Sequence, residues 1–418
     1  MSNRRKVKRK SLFAAFNFKP KKRAESKKDT KDTNDNRQQS RFQVVSGTRR
    51  RNRRKRIVFY CITVAVLATL LVVHLLLPTG LLEGIQNGYS ALGSGEMPLN
   101  FYSANPTDFQ KFGDVSCVLN DTFFEVYNEK GKLVQAVSHG LSNPQLEVSE
   151  ARFLLFDRDR YTIKTFKYAT ELHTQEFKHT VISADIGRNG TYAVVTGADS
   201  YLGTVYVYNK NNDLVFTWNS ANSYITDVAV ADNGKSIAVS LFNAKDGAYS
   251  SSVNIFDFKD ATPSKVYSVD GLISAVKSVN KNYMIAHGVD KAVVIPWNDG
   301  NMFDLNLSGV MRQTDISKSG TSAIVYGREY NETVNTVCIF DKEGVKKAEF
   351  PFNAKINDVS VLEESLLILS NEKIYRVDFA GNIKGETVCE IKPLYIGGIS
   401  EDKCIAVDNS KMNSVKLS

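Results

Sequence analysis

Two hydrophobic patterns divide the chain. Residues 57–77, IVFYCITVAVLATLLVVHLLL, form an unbroken apolar run without Asp, Glu, Lys or Arg. As a helix this run spans roughly 31 Å, against about 30 Å for the hydrocarbon core of a bilayer. A buried core helix would carry a polar stripe, and none is present, so the run predicts a transmembrane helix. From residue 108 to the end, apolar and polar positions alternate in short stretches separated by Gly, Asn and Asp, and no helical period is visible. That alternation predicts β-strands joined by tight turns.

The strand region repeats itself. GRNGTYAVV (187–195), ADNGKSIAV (231–239) and SKSGTSAIV (317–325) align without gaps, and their glycines, Gly190, Gly234 and Gly320, lie 44 and 86 residues apart. Each segment predicts a hairpin in which glycine supplies the positive φ that the turn demands. A second series pairs an aromatic or its equivalent with Asn or Asp, at Tyr127-Asn128, Tyr208-Asn209, Phe256-Asp257 and Phe340-Asp341. Here the Asx side chain is expected to start a turn by bonding its own backbone. A third series, beginning at Ile182, Ile225, Ile273 and Ile356, has the short alternating pattern of a crowded inner strand. Four short strands in about 42 residues is the pattern of a β-propeller blade.

Six full units are expected at 144–178, 182–218, 225–269, 273–307, 313–352 and 356–391. Residues 108–140 and 396–418 remain as two partial units. If these ends share one closing blade, the fold is an all-β, seven-bladed propeller. An eight-bladed ring with an incomplete last blade is the alternative. Ring closure removes the strand edges that would otherwise aggregate.

Charge changes the picture of the N-terminus. The 418 residues carry a formal net charge of +9, yet residues 1–56 hold 22 Lys and Arg against four acids, and the remainder is net acidic by 9. The basic character therefore belongs to the tail, and the body is not predicted to bind nucleic acid. RRRNRRKR (49–56) abuts the apolar run on one side, while no Lys or Arg follows it until Lys111. The positive-inside rule then places the N-terminus in the cytoplasm and the C-terminal part outside a cell membrane crossed once. The expected organisation is a disordered basic cytoplasmic tail (1–56), a transmembrane helix (57–77), a juxtamembrane stalk (78–107) and an extracytoplasmic propeller (108–418). Within the tail, SLFAAFNF (11–18) is bracketed by KVKRK and KPKKR, a composition suited to anionic lipid at the inner leaflet.

The hairpin segments ADNGKSIAVSL and SKSGTSAIVYG resemble the S-P-D-G-K-x-I-A-F repeat of WD40-like and TolB-like propellers, although the Pro and the Trp-Asp dipeptide of WD40 blades are missing. The whole layout is similar to a family of uncharacterised clostridial single-pass membrane proteins known only as a domain of unknown function. The resemblance covers about three-quarters of the chain. It implies a fold and a location, and it transfers no catalytic residue.

The residues themselves assign no catalytic, cofactor-binding or metal site, and no cofactor. His139, His173, His179 and His287 are isolated and read as strand-end residues, and no H-E-x-x-H, G-x-S-x-G or zinc-spaced cysteine pair occurs. Asp157-Arg158-Asp159-Arg160 reads as a self-paired surface turn, and NKNND (209–213) lacks the spacing of a calcium loop. Trp297, before a turn, reads as core in preference to an exposed stacking platform. Cys117, Cys338, Cys389 and Cys404 sit in apolar runs and read as buried thiols; only Cys117 and Cys404, in the first and last units, are placed where a bridge could form. The function that follows is a non-enzymatic surface module binding an extracytoplasmic protein or glycan. The alternative is an extracellular propeller hydrolase or lyase with its site at the central channel.

Overall fold

The computed structural model describes residues 46–76 and 92–418, apart from 150–151, 169, 246–247, 289–290, 306–308 and 329. The lipid-contact segment 11–18, the last residue of the apolar run, Leu77, and the first part of the stalk, 78–91, lie outside the described residues.

One α-helix, Ser46–Leu76, contains the apolar run and extends back through the arginine cluster. Thr63 and Thr69 donate their hydroxyls to the carbonyls of Phe59 and Ala65, each at 2.9 Å. Their polar atoms are thereby satisfied within the helix itself. The window Lys55–Val72 is long and apolar enough to cross a membrane, and its side chains are exposed.

The remaining described residues form eight four-stranded antiparallel sheets. Seven are continuous in sequence: blade 1 (Asp108–Ser138), blade 2 (Pro144–Glu176), blade 3 (Val181–Ser220), blade 4 (Tyr224–Asp270), blade 5 (Ala275–Asp304), blade 6 (Val310–Phe352) and blade 7 (Asp358–Val388). Blade 8 takes three strands from Tyr395–Lys416, and its outermost strand is Leu99–Asn100, paired as Leu99↔Met412 and Asn100↔Lys411. The expectation of seven blades with a shared closing blade is thus corrected to eight. The first partial unit, 108–140, is a complete blade whose inner strand, DFQKF (108–112), is too polar to stand out as one. The last unit is completed by two residues from the segment read as stalk.

The turns follow the local chemistry. Gly190, Gly234 and Gly320 have φ of +84°, +61° and +89°. Asn128, Asn209 and Asp341 each accept two backbone N–H groups from the turn they begin, at 2.8–3.1 Å.

The core lies between blades. Eight hydrophobic clusters occur among the described residues, one at each interface between consecutive blades, including that between blades 8 and 1. Side chains alternate along a strand, so one strand feeds both neighbours. In blade 2, Phe153 and Leu155 pack toward blade 1, while Leu154 and Phe156 pack toward blade 3. The second strands are accordingly mostly buried, some along their whole length, as in RFLLFD (152–157). The same alternation sends Cys117 toward blade 2 and Cys404 toward blade 7. The two thiols face away from each other across the closure, and both are free and buried.

Candidate functional site

The first strand of every blade lines the propeller axis. These inner strands carry Asp108, Glu147, Asp185, Asp227, Asp315 and Asp358, with Lys277 as the corresponding charged residue of blade 5. Four of the carboxylates hold neighbouring blades together. Asp185 accepts the backbone N–H of Val230 at 2.6 Å, Asp227 that of Val276 at 2.8 Å, Asp315 that of Val361 at 2.7 Å and Asp358 that of Ile396 at 2.8 Å. Asp227 also accepts the Ser183 hydroxyl, so it ties blade 4 to the blades on either side. Between blades 1 and 2, Gln110 does the same work by donating to the Leu146 carbonyl at 2.7 Å and to Asp108 at 2.9 Å. Where the carboxyl is ionised such bonds are charge-assisted and stronger than neutral ones, and in either form they give a physical reason for these acids along the ring's inner strands.

Glu147 in blade 2 and Lys277 in blade 5 make no such bond. Among the described residues neither has a hydrogen bond, nor an ion pair within 4.0 Å. Each is nevertheless the other's leading charge partner. Burial alone would lower the Lys277 pKa, but Glu147, Asp185, Asp315 and Asp108 around it outweigh that and hold it above its ordinary value. Burial pushes the Glu147 carboxyl up to about 8, against the pull of Lys277. It pushes Asp358 up to about 8 and Asp227 up to about 6. Asp108, Asp185 and Asp315 are raised by the same cause. The six carboxyl groups are half-buried and Lys277 is exposed to the lumen, although each lies deep in the ring. Depth sets the direction of each shift, and water in the lumen limits its size.

Two cavities share Asp108, Gln110, Glu147, Asp185 and Lys277, so they meet at a charged waist. The first, about 450 Å³, opens where the inner strands begin, beside Arg158, Thr226, Ser274 and His287. The second, about 770 Å³, opens toward the first hairpins, beside Lys111, Arg188 and Lys318. Burial lowers the His287 pKa, with Lys277 adding to the effect, and burial also lowers that of Lys111, helped by Lys318. No group of three or more His, Cys, Asp or Glu able to hold a metal ion occurs among the described residues.

The residues singled out from sequence mostly lie elsewhere. His139 is buried, with Nε2 on the Asn120 carbonyl at 2.9 Å and Nδ1 receiving the Leu141 N–H at 3.0 Å, which is a structural role. His179 lies 3.5 Å from Asp199 at the surface, and His173 is in the outer strand of blade 2. Only His287 reaches the channel. Trp297 is core, donating Nε1–H to Ser278 at 3.2 Å. The Asp157–Arg160 turn is not self-paired: Asp157 is buried and accepts the N–H groups of Ser142 and Asn143, leaving Arg158 at the first cavity. In the NKNND turn, Asn209 donates to the Asp213 carboxylate at 3.0 Å, which leaves that group committed within the turn. The channel residues were missed because each is a single charged residue in a different repeat. The usable signal was a carboxylate recurring in an otherwise apolar inner strand, as in SADI (183–186) and TDVAV (226–230).

Eight radial four-stranded sheets around a polar axis define a β-propeller. The chain belongs to a family of unknown function (DUF5711), whose model matches residues 99–417, from the outermost strand of blade 8 almost to the C-terminus. The C-terminal WD40 domain of Sif2 is similar in fold, with a TM-score of 0.51 and 10% identity over 78% of this chain and 100% of that one. BamB from Moraxella catarrhalis aligns with a TM-score of 0.48 and 11% identity, over 76% of this chain and 98% of that one. At such identities the likeness is one of fold. None of the curated proteins matches the chain.

Proposed function

We propose that the protein is a membrane-anchored, extracytoplasmic binding or scaffolding module whose ligand site is the axial channel. The observation that carries the binding role is the waist of that channel, where Glu147 and Lys277 face open volume without direct partners while four other inner-strand carboxylates are bonded to the next blade. Anchoring is supported by the exposed apolar helix, and orientation by the basic cluster on its N-terminal side. Protease added to intact cells is expected to degrade the propeller or its stalk and to spare an epitope placed at the N-terminus. Neutralising Arg49, Arg50, Arg51, Arg53, Arg54, Lys55 and Arg56 together should mix the two orientations. A protected propeller and a cleaved tail would overturn the reading.

One observation favours a second reading, an enzyme such as a hydrolase or lyase. Glu147 and Asp227 line the same cavity, with burial pushing one carboxyl to about 8 and the other to about 6. A spread of that kind suits a general acid and a general base. On this reading Glu147→Gln lowers turnover of a cleaved substrate by 10²-fold or more, a typical general-acid contribution of about that size. On the binding reading a substrate panel yields no turnover to lose.

A further inference from the structure

The two unbonded groups at the waist are an acid, Glu147, and a base, Lys277. Both line the first cavity, and no ion pair within 4.0 Å forms between them. A purely cationic ligand placed there would meet Lys277. A purely anionic one would meet Glu147 with Asp108, Asp185 and Asp227 behind it. A molecule carrying both charges answers both sides, and a volume of about 450 Å³ suits a small ligand.

We infer that the cavity on the strand-start side of the waist binds a small zwitterion of the amino-acid class, its ammonium on Glu147 and its carboxylate on Lys277. The inference rests on the channel being the ligand site of a binding module, and it narrows that reading to a chemical class. Asp185 keeps one oxygen on the next blade's backbone, so it acts on Lys277 from a distance and leaves the ammonium without a direct hydrogen bond. Arg158 and His287 at the mouth, and Gln110 beside Asp108, leave polar groups for the rest of the ligand.

Protonation gives a signature that a packing role would not produce. The groups facing Glu147 are Asp108, Asp185, Asp227 and Lys277. In the free protein burial raises its carboxyl well above the ordinary range, so it keeps a proton further toward neutral pH than a free carboxylate does, and an arriving ammonium displaces that proton. Affinity should therefore rise with pH, by up to about tenfold per unit while the carboxyl is protonated, with proton release on binding.

The test is isothermal titration calorimetry of the full-length protein in mild detergent. The zwitterionic probes are L-alanine, L-glutamine, β-alanine and γ-aminobutyrate, which differ in charge separation. Propylamine and propionate are the single-charge controls. At least one zwitterion is expected to bind, with both controls weaker by about tenfold or more, since each lacks one charged contact. Glu147→Gln and Lys277→Met should each weaken binding to a similar extent while the melting transition is kept. Should either variant fail to fold, the wild-type buffer series decides, because heats measured in buffers of different ionisation enthalpy report the released proton directly. Silence from all four zwitterions at millimolar concentration, a control that binds as well as its zwitterion, or binding without proton release would each overturn the inference. Failure here with the propeller still outside the cell removes the ligand class and leaves the anchored module standing. An inverted topology would remove the anchored module without touching the calorimetry.

Discussion

Deleting residues 396–418 from the otherwise full-length chain is expected to abolish cooperative unfolding of the propeller and to send the protein into aggregates. The deletion removes nearly all of blade 8 and with it two of the eight inter-blade clusters. On one side Leu362, Leu367, Leu369 and Ile374 of blade 7 lose their cover, and on the other Phe109, Val118 and Tyr127 of blade 1 lose theirs. At about 1.5–3 kcal/mol for each large apolar side chain returned to water, the loss is on the order of 10 kcal/mol, comparable with the whole stability of an ordinary domain. The strand edges exposed at the gap then supply a template for association. Removing only the pairing of Leu99 and Asn100, by Leu99→Pro, breaks two ladder positions at the rim and should cost far less. Circular dichroism melting and size-exclusion chromatography separate the two. A truncated chain that melts like the intact one would refute closure of the ring through blade 8.

The second large effect is a melting temperature that falls as the pH is raised from 6.5 to 8.5. Glu147 and Asp358 have folded pKa values of about 8 and Asp227 of about 6, above the ordinary carboxylate range, so the folded state holds protons that the unfolded chain gives up. The stability this contributes is fully present below the unfolded pKa values and is lost as pH rises through the folded ones. Lys277, raised for its part, loses its contribution only at much higher pH. His287 works in the other direction: with its folded pKa lowered, its contribution is present above the unfolded value and is lost as pH falls. Carboxylates lowered by lysine partners, such as Asp378 beside Lys384 and Asp199 beside Lys178, weaken the fold only in acid. Burial also raises the thiols of Cys117, Cys338, Cys389 and Cys404, which adds a fall of the same sign as the unfolded thiols begin to ionise, so the channel's share is read from about pH 6.5 to 8. The double variant Glu147→Gln, Asp358→Asn should flatten the slope, and a melting temperature that rises with pH across this window in the wild type would contradict the buried carboxylates.

Much of the propeller was legible one segment at a time, because the rules that made its turns and strands act over a few residues. Gly190, Gly234 and Gly320 marked hairpins because positive φ strains any side chain, and Asn209 and Asp341 marked turns because their carboxamide and carboxylate oxygens reach N–H groups two and four residues on. The apolar run at 57–77 was legible for a similar reason, as a length and a composition. The candidate site was hardly legible at all. Asp185 and Asp315 sit in inner strands that look alike, yet nothing in either strand says that both flank Lys277, which lies 92 residues beyond one and 38 before the other.

By itself, then, the amino-acid sequence determined the blade: four short strands, the turns that join them and apolar runs in the middle strands that can pack on both faces of the sheet. It also determined one long apolar helix with a basic flank. The number of blades, the completion of blade 8 by Leu99 and Asn100, the opposite facing of Cys117 and Cys404, and the meeting of Glu147 with Lys277 were decided only in the tertiary structure. The physical reason is that a ring closes on the accumulated packing of every blade against the next. Its axis collects one strand from each repeat, so both the count and the contents of the channel are properties of the closed circle and of no single repeat.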